Sequence, residues 1–353
     1  MRDLLDAYST LTATGHPVGR AVVTSVWGSA PRPEGACMLA TVAGTLAGSV
    51  SGGCIEAAAA TEIAEAIRRG TPKLVTFGVS DERAWEVGLS CGGTIKVFVE
   101  PTVRTELLAA ARGEGDVVVA TVIQSASSTV TVGDAGLIIN QGDTELGQPA
   151  WLDASLRRAA RAALEREAST TVELAGPDGA ALSVFLEVFS RRPTLIIVGA
   201  VHIAAALVTF AKALGYVTVV ADGRAAFLTR ERFPDADQLI LAWPAEAFDR
   251  TGLGPATYVC LLSHDPKFDD PAMELALRSP ARYIGAIGSK KTQAARRERL
   301  RALGFTDADL ARLHGPIGLP LGGRAPAETA LAIMAEMTQA RYGAGAAAAG
   351  PHG

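Results

Sequence analysis

The chain has 353 residues, 48% of them hydrophobic and 20% charged, with a net charge of −4. That length exceeds what one hydrophobic core ordinarily serves, so two domains are expected. The charge offers nothing to nucleic acid, and no apolar run approaches the roughly 18 residues a membrane span needs, so neither nucleic-acid binding nor stable membrane insertion is expected. From the amino terminus, Met1 to Tyr8 carries acids early and lacks the apolar centre of a signal peptide. With Leu4, Leu5, Tyr8 and Leu11 on one face it reads as an amphipathic helix. Gly19 to Val26 and Ala36 to Val42 read as strands around the turn Gly28-Ser29-Ala30-Pro31-Arg32-Pro33. Gly44 to Ser51 leads into Ser51-Gly52-Gly53-Cys54-Ile55-Glu56 and an alanine-rich, helix-favouring run from Ala57 to Ile67. Thr94 to Glu100 is another strand.

Further strands are expected at Val117 to Ile123, Thr129 to Val132, Gly136 to Asn140 and Ser183 to Phe189, with an amphipathic helix over Trp151 to Arg166. From Pro193 the pattern changes to alternating strand and helix. Strands at Thr194 to Val198, Tyr216 to Ala221, Gln238 to Leu241, Tyr258 to Leu262 and Arg282 to Ala286 are nearly continuous in apolar character. The intervening helices fall at His202 to Leu214, Pro271 to Leu277, Lys290 to Leu303 and Pro326 to Arg341. Such alternation argues a doubly wound parallel sheet. The expected organisation is therefore α/β: a mixed α+β domain over 1–101, a β-rich and helical region over 102–192 continuous with it, a Rossmann-like domain over 193–342, and a disordered tail over 343–353.

Four cysteines, Cys37, Cys54, Cys91 and Cys260, are too few and too dispersed for a disulfide scaffold, and without a Cys-x-x-Cys pair a structural zinc site is not expected. Reduced thiols and a cytoplasmic location follow as the expectation. Cys54 and Cys91 differ from the others because paired glycines, Gly52-Gly53 and Gly92-Gly93, flank them. A helix start beside Cys54 would favour a thiolate, and bare glycine backbone leaves room for a ligand; the bland alternative is a small buried hydrophobe. Cys37 in Cys-Met-Leu-Ala and Cys260 in Val-Cys-Leu-Leu read as packing. Glu56 reads either as a first-turn acid stabilising its helix or as a proton-handling group.

In the Rossmann-like half, a strand, Gly199-Ala200-Val201-His202-Ile203-Ala204, a helix and a strand ending at Asp222 resemble a dinucleotide fingerprint. Val201 stands where the second glycine would let the backbone approach a pyrophosphate, so NAD(P) in the standard pose is disfavoured. His202 begins a helix, where it caps or faces a ligand. Arg224, His264 and Asp265 lie past strand ends, where open α/β sheets place ligands.

Taken together these runs resemble the XdhC/CoxI family, accessory proteins of xanthine dehydrogenase and related molybdenum hydroxylases. In the amino-terminal part the resemblance rests on Gly28-Ser29-Ala30-Pro31-Arg32, Ser51-Gly52-Gly53-Cys54-Ile55-Glu56 and Cys91-Gly92-Gly93. In the carboxyl-terminal part it rests on Asp222-Gly223-Arg224 with Arg232-Phe233-Pro234, His264-Asp265-Pro266-Lys267-Phe268-Asp269, Tyr283 to Thr292, and Pro316-Ile317-Gly318-Leu319. The resemblance implies an insertion factor rather than a dehydrogenase. Such a factor binds molybdenum cofactor (molybdopterin) transiently and protects it while a terminal oxo ligand is exchanged for sulfur from a cysteine desulfurase. It then delivers the cofactor to an apo molybdenum hydroxylase. Cys54 would ligate molybdenum or carry a persulfide, and Arg32 with the glycine-rich backbone would meet the pterin phosphate. A homodimer with its site between neighbouring chains is compatible with this. Cys37 stands where the family usually has arginine, and Val201 where it usually has glycine. The competing expectations are an NAD(P)-dependent oxidoreductase and a persulfide-carrying sulfur-transfer enzyme.

Overall fold

Alternation along a single strand sets the layering of the amino-terminal unit. The computed structural model describes residues 1–28, 32–78, 93–139, 151–263 and 265–346; contacts divide the chain into two units at Arg191/Arg192. A 3-10 turn (Arg2–Leu4) and α1 (Leu5–Ala13) precede β1 (Val18–Trp27), β2 (Cys37–Thr41), β3 (Leu46–Gly48), α2 (Glu56–Arg69), β4 (Lys73–Phe77) and β5 (Thr94–Glu100). There follow α3 (Thr105–Arg112), β6 (Val117–Ser125), β7 (Ala135–Ile139), α4 (Ala154–Glu165), β8 (Thr170–Ala175) and β9 (Ala181–Phe189). The strands make two antiparallel sheets, ordered β3-β2-β1-β5-β4 and β7-β6-β9-β8.

Ala21 and Val23 of β1 face α2, packing with Met38, Ala40, Ile95 and Val97 against Ala59, Ile63 and Ala66. The intervening Val22 turns to the opposite face, where Cys37 and Phe98 meet Ile123 and Phe185 of the second sheet. A period of two thus gives one sheet both an α-helical cover and a sheet partner. α2 itself follows from its alanines and from Gly70, whose φ of 68° ends it in the left-handed conformation. α4 covers the outer face of the second sheet.

The second unit comprises β10 (Thr194–Val198), α5 (His202–Ala213), β11 (Val217–Asp222), β12 (Gln238–Leu241), α6 (Pro244–Thr251), β13 (Thr257–Leu261), α7 (Pro266–Arg278), β14 (Tyr283–Ala286), α8 (Lys290–Ala302), α9 (Asp307–Ala311), β15 (Leu313–His314) and α10 (Pro326–Ala346). Its strands are all parallel, in the order β12-β11-β10-β13-β14-β15. Ile196 and Val198 face the layer holding Phe248, Met273 and Leu300. Leu195 and Ile197 face the layer of Leu207, Val208, Ile333 and Met334. Burial on both faces is why the inner strands β10, β13 and β14 are almost wholly apolar. The α/β fold with a Rossmann-like doubly wound sheet is therefore as expected.

Two local expectations are corrected. Thr129 to Val132 is not a strand; it is part of the connection from β6 to β7. There the Ser125 hydroxyl donates to the Val130 carbonyl at 2.6 Å and Asp134 accepts from the Thr131 N–H at 2.8 Å. Short polar side chains capture the backbone before a ladder forms. At the other end, α10 runs on to Ala346, because alanine sustains a helix through the isolated glycines. Among the described residues no helix is long and apolar enough to cross a membrane.

Candidate functional site

Residues 49–55 join β3 to α2 and carry the cysteine. Val50 and Ile55, both fully buried, root the segment in the core, while Gly52, Gly53 and Cys54 between them are exposed. Gly52 (φ 81°) and Gly53 (φ 128°) occupy backbone conformations that other residues rarely adopt. A Cβ built on Gly53 would meet nothing within 4 Å, so conformation rather than crowding demands glycine there.

Glu56 fixes this turn. Its Oε1 accepts from the Ser49 hydroxyl at 2.5 Å, the Val50 N–H at 3.2 Å and the Ser51 N–H at 2.9 Å. Its Oε2 accepts from the Ser51 hydroxyl at 2.7 Å. The two hydroxyls in turn accept from Gly52 N–H (2.7 Å) and Ile55 N–H (3.0 Å). Burial opposes ionisation of Glu56, but the Ser49 and Ser51 hydrogen bonds outweigh it and hold the carboxyl down at about 2. So committed a carboxylate is a poor base near neutrality, and its geometry is that of an anchor for the cysteine turn. Of the other amino-terminal candidates, Arg32 is exposed before β2 and Gly93 is buried just ahead of β5. Cys91 and Gly92 lie outside the described residues.

At the carboxyl edge of the parallel sheet, β10 runs into Gly199, whose φ is 107° and whose added Cβ would stand 2.9 Å from the Ser263 nitrogen. Buried Asp222, at the end of β11, ties this turn to its own. Oδ2 accepts from Ala200 N–H and from Arg224 Nη2, both at 2.8 Å; Oδ1 accepts from Arg224 N–H and Nε, both at 2.9 Å. Burial works against the charge, yet Arg224 and the Ala200 and Arg224 backbone donors hold the carboxyl below its ordinary value. The acceptor that would greet a ribose diol is thus engaged by the chain's own arginine. Val201 is the N-cap of α5 without a side-chain cap bond, and His202 is exposed at the first helical position. Asp265 caps α7 by accepting from Lys267 N–H at 3.0 Å. His264 lies outside the described residues. Gly199, His202, Asp222, Arg224 and Asp265 therefore share one sheet edge, at the ends of β10, β11 and β13.

Sequence reasoning passed over several side chains at this edge. Asp269, wholly buried, accepts from Arg296 Nη2 at 2.6 Å and from the Ser263 hydroxyl at 2.5 Å, riveting the loop after β13 to α8. Trp243, just past β12, stacks on Phe268 with ring centroids 4.1 Å apart. A tryptophan directly after an apolar strand and before proline was the available signal. Among the described residues no group of three or more His, Cys, Asp or Glu is placed to hold a metal ion.

The fold and this edge define a Rossmann-type α/β unit joined in sequence to a double-sheet unit bearing an exposed, glycine-bedded cysteine. Residues 195–337 match the family model described as XdhC Rossmann domain, and residues 11–78 match that of the XdhC and CoxI family. This chain belongs to the XdhC/CoxI family. A Bacillus subtilis (strain 168) protein, named as one of the probable subunits of xanthine dehydrogenase, is 27% identical over 91% of this chain and 92% of its own length. The Escherichia coli (strain K12) molybdenum cofactor insertion chaperone PaoD is 26% identical over 92% of this chain and 84% of its own. The crystal structure of a Bacillus halodurans protein described as a xanthine dehydrogenase has a TM-score of 0.72 at 28% identity, covering 95% of this chain and 94% of that one.

Proposed function

We propose that this chain binds molybdenum cofactor as cargo and inserts it into an apo molybdenum hydroxylase of the xanthine dehydrogenase type. The observation that carries the reading is the exposed Cys54, held out on the Gly52–Gly53 turn by the Glu56 anchor, within the segment that matches the XdhC and CoxI family. A soft thiolate suits molybdenum or sulfur. The similarity to PaoD over most of both chains supports the same role. In this reading the cofactor is sheltered during sulfuration, a cysteine desulfurase supplies the sulfur, and Cys54 contacts the metal or carries the sulfur. An NAD(P)-dependent oxidoreductase is the weaker reading, because Asp222 is spent on Ala200 and Arg224.

The test is equilibrium binding of molybdenum cofactor to the purified protein and to Cys54→Ala, read by molybdenum analysis after separation. Stoichiometric retention by the wild type and loss in the variant are expected. Failure of the wild type to retain molybdenum would overturn the proposal. Retention by both would move the metal contact away from Cys54.

A further inference from the structure

Trp243 sits where neither helix capping nor core burial asks for a tryptophan. It is the N-cap of α6, a position favouring Ser, Thr, Asp or Asn, and makes no side-chain cap bond. It is no core residue either, being 54% exposed. Yet one face is packed: its ring lies on Phe268 at 4.1 Å and 9°, with Pro244 following in the chain.

The position of this pair is informative. Trp243 comes from the end of β12 and Phe268 from the first turn after β13, so the rings span the ends of β11 and β10, which lie between those strands in the sheet. The strand order reverses at β10, and open α/β sheets bind ligands outside such a switch point. Gly223 lies against the pair: an added Cβ would stand 3.2 Å from two atoms of the Phe268 ring and 3.9 Å from Trp243 Nε1. The next residue, Arg224, is pinned to Asp222 through Nε and Nη2, with its side chain 47% exposed. Its guanidinium carbon also rests 4.5 Å from the centre of the Phe227 ring, which steadies the plane. Nη1 has no hydrogen-bond partner among the described residues, which leaves a fixed cation pointing two N–H groups elsewhere.

From this arrangement we infer that the Rossmann unit carries a nucleoside-phosphate subsite. The base stacks on the exposed face of Trp243, backed by Phe268, and Arg224 meets the phosphate. Aromatic rings accept any base through its π face, and a pinned guanidinium offers phosphate a preorganised donor. Because Asp222 is engaged, the subsite reads the plane and the phosphate rather than the ribose diol. It goes beyond the cargo reading and does not depend on it. The nucleotide is either free or joined to a pterin, and both present the same ring and phosphate.

The experiment is a titration of the full chain with CMP, AMP and GMP, followed by tryptophan quenching and calorimetry, in wild type, Trp243→Leu, Trp243→Phe and Arg224→Gln. Saturable binding of at least one nucleotide is expected. Trp243→Leu should weaken it about 5- to 150-fold, the range for loss of one base–aromatic stack, while Trp243→Phe retains most of it. Arg224→Gln should weaken the nucleotide but not the unphosphorylated nucleoside. A pterin-linked nucleotide binding at least about tenfold tighter than the same nucleotide alone would assign the subsite to cargo; equal affinities would assign it to a free nucleotide. Absence of binding to the wild type at millimolar nucleotide, or unchanged affinity in Trp243→Leu, would overturn the inference.

Discussion

Ser51 gives Glu56 two hydrogen bonds, from its N–H to Oε1 at 2.9 Å and from its hydroxyl to Oε2 at 2.7 Å. The same hydroxyl accepts from Ile55 N–H at 3.0 Å, so one serine links the carboxylate to the last residue before α2. Cys54 lies inside that closed circuit and owes its exposed position to it.

The circuit predicts a specific pH dependence. The Glu56 carboxyl lies near 2 in the folded chain against an ordinary 4.5. Its contribution to stability is therefore complete above about pH 4.5 and is lost as pH falls toward 2. Glu56→Gln should cost about 1.5–3 kcal/mol near neutrality, the usual worth of hydrogen bonds to a charged group. Thermal melts of both proteins from pH 7 to 3 should show the gap narrowing as the wild type loses its advantage. A gap that stays constant would mean the carboxylate is not the anchor.

A second prediction concerns the thiols. Cys54 is exposed, whereas Cys37 is buried and Cys260 is wholly so; burial, with the charge of Glu336 adding to it, pushes the Cys260 thiol up. Iodoacetamide should therefore alkylate Cys54 well ahead of those two, and bound cofactor should slow its labelling at least tenfold if the thiol meets the metal. Peptide mapping by mass spectrometry after timed quenches measures both. Equal labelling of Cys54 and Cys260 would contradict the exposure described.

How much of this was legible in the sequence depended on where burial is two-sided. Thr194–Val198 is the strand expected, and β11, β13 and β14 agree within a residue or so, because strands covered on both faces read as unbroken apolar runs. Lys73–Phe77 and Thr170–Ala175 escaped notice: each is a sheet edge, half exposed, with no apolar run to mark it. The site divides in the same way. Ser51 to Glu56 stood out through composition, but Ser49 did not, since its role arises only when the chain folds back onto Glu56. Asp222 sat at the spacing of a ribose ligand; that Arg224, two residues on, turns back to occupy it is a property of the turn and has no pattern in composition.

A third prediction tests the junction of the two amino-terminal sheets. Arg20, almost wholly buried, pairs with Glu100 of its own sheet at 2.8 Å and with Glu187 of the other. Burial disfavours the guanidinium charge, but Glu187 and Glu100 outweigh that and keep it firmly protonated. Arg20→Met should cost about 3–5 kcal/mol at pH 7, because buried Glu187 loses its partner and Glu100 is left with Arg104. Urea titrations should then show the variant recovering relative to wild type as pH falls to 5, since protonation neutralises the stranded Glu187. Recovery on raising the pH instead would refute this account.

The last prediction separates the structural work of Asp222 from cofactor recognition. If the carboxylate serves to join the Gly199 turn to Arg224, Asp222→Asn weakens both ties at once. An amide can accept from Ala200 N–H, but it cannot pair ionically with the guanidinium. The expected cost is about 1.5–3 kcal/mol near neutrality. Since the folded carboxyl lies below its ordinary 3.8, the wild-type advantage persists above that value and fades as pH drops through the acid range beneath it. Amide exchange at Ala200 should quicken in the variant, while NAD(P)H fluorescence titrations show no tight site in either protein, base and phosphate contacts without the ribose diol being weak. If Asp222 were a ribose ligand, the wild type would instead bind NAD(P)H tightly and the variant would lose that tight binding with little change in melting temperature, an outcome that would hand the Rossmann unit back to nicotinamide chemistry.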